Sequence, residues 1–178
     1  MNKLINLFLR YTIIILAGLG NLALFYKLLT PITTKTVSFI LNLFSPTITI
    51  ANTIIFNSIT IQLIPACIAG SAYYLLLILT LTTPNIKLNK TIKILFTSFI
   101  TLFILNISRI IILTFANQTI YFESLHIIFW YIFSTIFVIA IWIFNIKFYK
   151  IKNIPVYSDL KYLVKLINPK HSPRRPQN

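Results

Sequence analysis

Residues 92–116 read IKILFTSFITLFILNISRIIILTFA, a run with two charges, Lys93 at its start and Arg109 toward its end. A span of the bilayer hydrocarbon needs about 20 mostly apolar residues. Three other stretches pass the same test: Tyr11 to Leu29, Ala66 to Thr83 and Leu125 to Ile146. The whole chain agrees with them. Of 178 residues, 57% are hydrophobic and 10% are charged, where a soluble domain carries about 25% charged residues. Mean hydropathy is +0.86. A water-soluble globular domain and a disordered chain are both excluded on these grounds. The expected fold class is an all-α integral membrane protein of about four transmembrane helices.

Sixteen Lys and Arg face two acids, Glu123 and Asp159, giving a net charge of +14. In so apolar a chain this excess reads as membrane topology rather than nucleic-acid binding, because cytoplasmic loops collect Lys and Arg. Lys87, Lys90 and Lys93 cluster between the second and third spans. Lys147, Lys150 and Lys152 follow the fourth. With Lys3 and Arg10 inside, four crossings put all of these inside and only Lys27 and Lys35 outside. The expectation is a multi-pass protein of the cell membrane with both termini cytoplasmic. Residues 147–178 form a basic cytoplasmic tail, in which 157–167 reads as a short amphipathic helix on the inner leaflet. The first span lacks a clear cleavage site and reads as an uncleaved helix.

Between the first two spans, Thr36 to Phe44 is too short to cross and reads as a short interfacial helix. Thr47 to Ile50 and Ser58 to Leu63 alternate polar and apolar residues with a period of two, the pattern of strands. Ala51-Asn52 or Asn57-Ser58 supplies a turn. The expectation is a small extracytoplasmic β-hairpin-like segment leading through Pro65 into Cys67.

Cys67 is the only cysteine, so no intrachain disulfide and no cysteine metal cluster forms. His126 and His171 lack metal-ligand spacing, and three glycines leave no phosphate-cradling loop. No metal or organic cofactor is expected. Placed on the lysine-derived topology, Cys67 opens the second span at its outer end and His126 opens the fourth. Arg109 lies about seven residues below the outer end of the third, about 10 Å down. Three helices thus bring a Cys, an Arg and a His to one outer layer. Arg109 is the residue topology does not need, since an Arg within a span is costly and usually faces protein or a wet cavity. Each residue also has a plainer reading: Cys67 as core, His126 as interfacial, Arg109 snorkelling outward. Together they have the chemistry of acyl transfer. A fixed guanidinium favours a thiolate or binds an oxyanion, and an imidazole relays the proton. Gly70 and Tyr74 share the helix face of Cys67, Asn106 lies one turn from Arg109, and Glu123 precedes His126 by three. These four are candidate substrate-binding or supporting residues, with Asn106 alternatively an interhelical hydrogen bond and Glu123 alternatively a favourable acid at a helix N-terminus.

Three motifs carry a resemblance. Pro65-Ala-Cys67-Ile-Ala-Gly-Ser-Ala, Asn106-Ile-Ser-Arg109-Ile and Ser124-Leu-His126 resemble, in order and sidedness, the segments of the exosortase/archaeosortase family of membrane transpeptidases. The likeness covers about residues 45–145 and is nearest the compact archaeal members. It implies that residues 1–146 form a transmembrane catalytic domain with Cys67 as nucleophile and His126 as base and then acid. Arg109 would stabilise the oxyanion or position the substrate. The implied partners are membrane lipids and secreted proteins ending in a short motif, a hydrophobic span and basic residues. The implied product is an envelope lipid or glycan conjugate. The alternative is a small non-enzymatic membrane scaffold whose Arg109 binds a lipid headgroup or a partner's acid.

Overall fold

The computed structural model describes residues 3–20, 22–83, 86–117, 119–129 and 134–151. The amphipathic stretch predicted in the basic tail lies outside them. The described chain is mostly helical with one small sheet: α1 Lys3–Gly18, α2 Ala23–Asn42, β1 Thr47–Ile50, β2 Thr53–Phe56, β3 Ile59–Gln62, α3 Pro65–Ile68, α4 Gly70–Leu81, α5 Leu88–Ala116, α6 Phe122–Ile128 and α7 Ser134–Phe148.

α5 is the long helix that its sequence predicts. Its 29 residues rise about 43 Å at 1.5 Å each, more than the hydrocarbon thickness of about 30 Å. It is the one continuous helix among the described residues that is long and apolar enough to cross a membrane, and only 28% of its most apolar window is buried. Four continuous transmembrane helices are not found among the described residues. The first predicted span is divided between α1 and α2, which meet at a bend of 64°. Gly20 and Leu22 both have positive φ there, and such a residue cannot continue a right-handed helix. The predicted interfacial helix at 36–44 has no separate existence: most of it is the last part of α2. The second predicted span is broken at Ala69, leaving α4 with 12 residues. Of the fourth, the described residues show α6 and α7, with 7 and 15 residues. At about 18 Å, α4 alone falls short of a full crossing.

The sheet has three strands rather than two, in the order β1-β2-β3 and antiparallel throughout. Both candidate turns are used. Asn57 and Ser58 each have positive φ, as a two-residue type I′ turn demands, and Ala51 has positive φ at the start of the other. Pairing of Phe56 with Ile59 and of Ile54 with Ile61 puts these side chains on one face. Ile54 and Phe56 from that face pack with Val37 and Leu41 of α2, Ile68 of α3 and Ile107 of α5. A second cluster below joins Tyr73 and Leu76 of α4, Leu102 of α5, and Val138 and Ile141 of α7. The sheet therefore packs against α2, with Ile107 and Ile110 of α5 in the same cluster and Cys67 packed against it.

Candidate functional site

The site begins with a helix that stops after one turn. Pro65 occupies its first position, where the missing N–H costs nothing. Ala69, at φ 58° and ψ 35°, is left-handed and ends it. In a continuous helix the N–H groups of Gly70 and Ser71 would bond the carbonyls of Ala66 and Cys67. The break removes those partners, and the ladder restarts at the Ala69 carbonyl, which accepts from Ala72 N (2.9 Å) and Tyr73 N (3.3 Å).

Two side chains of α5 meet the released carbonyls. Asn106 Nδ2 donates to Cys67 O at 2.8 Å, and Arg109 Nη2 donates to Ala66 O at 3.2 Å. A buried carbonyl left unbonded is costly, so Asn106 and Arg109, three residues apart on one helix face, hold the nucleophile candidate's backbone against α5. Asn106 is itself buried.

Cys67, Arg109 and His126 border one cavity of about 180 Å³. Its walls are apolar, with Ile61 and Leu63 from the sheet side, Leu113 from α5 and Phe129 beyond α6. Cys67 is half-buried. His126 is exposed, its ring stacked on Phe122 at 5.8 Å between centroids and 3° between planes. Thus three residues far apart in sequence, on α3, α5 and α6, converge on one space.

The other four candidates separate. Asn106 holds the Cys67 carbonyl. Gly70 does not border the cavity; it is the contact point for Tyr26, whose ring Cε1 would lie 2.7 Å from an added Cβ. Tyr74 also points away, donating its hydroxyl to Ile14 O at 3.1 Å and lying over Gly18. The helix-face argument that grouped Gly70 and Tyr74 with Cys67 fails because Ala69 rotates α4 relative to α3. Glu123 lies exposed in the first turn of α6, outside the cavity lining. Among the described residues, no group of three or more His, Cys, Asp and Glu could hold a metal ion. Ile59 and Thr60 of β3 and Phe122 of α6 also border the cavity. The period-two pattern in 58–63 signalled the strand, but no local signal marked Phe122.

No protein-family model, curated protein or solved structure matches the chain.

Proposed function

We propose that this protein is a membrane-embedded cysteine peptidase or transpeptidase that cleaves C-terminal sorting signals of secreted proteins and passes them to an envelope lipid or glycan. The observation that carries the reading is the convergence of Cys67, Arg109 and His126 on one cavity. In the reaction, His126 takes the thiol proton and Cys67 Sγ attacks the carbonyl carbon of the scissile peptide bond. Negative charge develops on the carbonyl oxygen, and the Arg109 guanidinium stabilises it in a site of low dielectric. Collapse breaks the C–N bond, His126 gives its proton to the leaving amine, and a thioester remains on Cys67. An acceptor hydroxyl or amine then gives its proton to His126, attacks the thioester and releases the thiol.

The membrane setting is part of the proposal. α1 with α2, α4, α5, and α6 with α7 make four crossings, the first bent between α1 and α2 and the second interrupted at Ala69, with both termini cytoplasmic. Arg10 Nε donates to Leu81 O and Lys90 Nζ to Tyr149 O, so bases from the N-terminal helix and from the start of α5 gather at the end of the helices opposite the sheet. That is the sidedness the positive-inside rule requires. The cavity then opens on the extracytoplasmic side. A scaffold reading draws on the Arg109 bond to Ala66 O, which gives the guanidinium a structural task.

Substitution separates the two. In cells co-expressing a secreted protein with a C-terminal motif, span and basic end, Cys67→Ala abolishes processing while membrane insertion is unchanged. Arg109→Gln and His126→Ala act in the same direction. Normal processing by all three variants rules out the enzyme and leaves the scaffold.

A further inference from the structure

Three consecutive residues of β3, Ile59, Thr60 and Ile61, border the cavity that holds Cys67. Side chains along a strand alternate between faces, so no single face presents all three to one space. What borders the cavity is the edge of the strand, its backbone. β3 is an edge strand, paired to β2 on one side only.

The register tells which backbone groups that edge offers. Residues opposite one another in an antiparallel pair alternate between exchanging hydrogen bonds and not. Phe56 and Ile59 close a two-residue turn, the position of a bonded pair. Leu63 N donates to Asn52 O at 2.9 Å, so the bonded positions are 59, 61 and 63. The N–H and C=O of Thr60 and Gln62 consequently point away from β2, toward the open edge. Among the described residues outside the sheet, no hydrogen bond reaches either backbone. An edge of this kind is a template for another strand, and this one runs beside a thiol.

We infer that β3 is a docking rail on which the substrate peptide is bound as an added antiparallel or parallel strand, its backbone bonded to Thr60 and Gln62. The peptide lies extended across the cavity and one carbonyl faces Cys67 and Arg109. Strand addition recognises backbone, and pockets for alternate side chains add selectivity. The pocket here is walled by Ile61, Ile110, Leu113 and Phe129, so it takes an apolar side chain. The occupant is therefore an unfolded peptide segment with at least one apolar residue beside the cleaved bond, not a folded domain or a helix. A helix satisfies its own backbone groups and has none to give the edge. This rests on the peptide-processing reading above and adds how the peptide is held.

The test measures alkylation of Cys67 in the full chain reconstituted in lipid nanodiscs. The probes are iodoacetamide and an N-acetylated tetrapeptide chloromethyl ketone of alternating valine and alanine. In each, Cys67 sulfur displaces a halide and forms a thioether. Two main-chain hydrogen bonds raise the peptide reagent's rate relative to iodoacetamide by about tenfold or more. Methylating the peptide's backbone nitrogens removes that advantage without altering the protein. Thr60→Pro lowers the peptide reagent's rate relative to iodoacetamide on the same variant, because proline deletes an outward N–H at an edge position that strands tolerate. Equal rates for plain and methylated peptides overturn the rail while leaving a reactive thiol. A Cys67 that neither reagent labels overturns the rail and the thiol enzyme together.

Discussion

At the scale of single residues, the site depends on Asn106 and Arg109 replacing backbone donors that the break at Ala69 removes. Asn106→Ala deletes the donor and leaves the part-buried Cys67 carbonyl unbonded, which costs about 1–3 kcal/mol. The expected outcome is a lower melting temperature in detergent, together with faster and less selective alkylation of Cys67 as the turn loosens. An unchanged melting temperature shows that the 2.8 Å bond contributes nothing. Gly70 makes a different kind of demand. An added Cβ meets the Tyr26 ring at 2.7, 2.9 and 3.3 Å, so Gly70→Ala overpacks the contact between α2 and α4 at a cost of about 1–3 kcal/mol. Tyr26→Leu in the Gly70→Ala background removes the obstructing ring atoms, and thermal melts of the double variant recover part of the loss. Two independent, additive losses instead mean that the two residues do not touch.

At the scale of elements, the recurrent feature is the interrupted helix. Ala69 holds an αL conformation in which an L-residue costs about 1–2 kcal/mol relative to the right-handed form. Its carbonyl starts α4 while its turn frees the carbonyls of Ala66 and Cys67, so the strain builds the site. Ala69→Gly removes the strain and adds backbone entropy to the unfolded chain, for a net gain of about 0.5–1 kcal/mol. Ala69→Val, β-branched at positive φ, moves stability the other way. Thermal melts of both variants check the sign, and a loss with glycine contradicts the strain argument. These breaks explain what was legible in the sequence. α5 was, because an unbroken apolar run of its length has one reading. Residues 66–83 also form an apolar run, and nothing in Cys-Ile-Ala-Gly announces a left-handed alanine, so the run read as one span. β3 was legible because Ile59 and Ile61 turn inward while Thr60 and Gln62 stay exposed; β1 alternates in sequence too, although Ile48 and Ile50 are exposed. β2 was not: Thr53-Ile-Ile-Phe56 lies between two neighbours, with Ile55 half-covered on the far face, so its period-two signal is lost. Cys67, Arg109 and His126, which lysine counting over four expected crossings put in one layer, border one cavity. Gly70 and Tyr74 were misplaced because face arguments need an unbroken helix.

At the scale of the whole molecule, the exposed surface is as informative as the core. Phe8, Leu16, Leu28, Phe39, Phe96, Ile104 and Phe144 are all more than half exposed, and they lie on α1, α2, α5 and α7. A helix as apolar as α5 at the centre of a soluble protein would be mostly buried, yet its most apolar window is 28% buried. An exposed apolar surface of this extent in water drives association, whereas in lipid it carries no penalty. Polar groups inside show the complementary pattern: Asn145 Nδ2 donates to Ser98 Oγ at 2.9 Å, joining α7 to α5 through the bundle interior, where such bonds hold membrane helices together. The proposed four-crossing topology makes a definite forecast. In a Cys67→Ala background, Ser124→Cys lies on the outer side and Lys87→Cys on the inner side. A membrane-impermeant maleimide therefore labels Ser124→Cys in intact cells and labels Lys87→Cys only after permeabilisation. Had the chain α5 as its sole crossing, these two positions would still separate, so a third is decisive: Tyr149→Cys follows α7 and returns to the inner side only if α6 and α7 complete a crossing. Protection of Tyr149→Cys in intact cells supports that fourth crossing. Its labelling from outside reduces the chain's C-terminal half to a single span and leaves His126 on a segment lying along the outer surface.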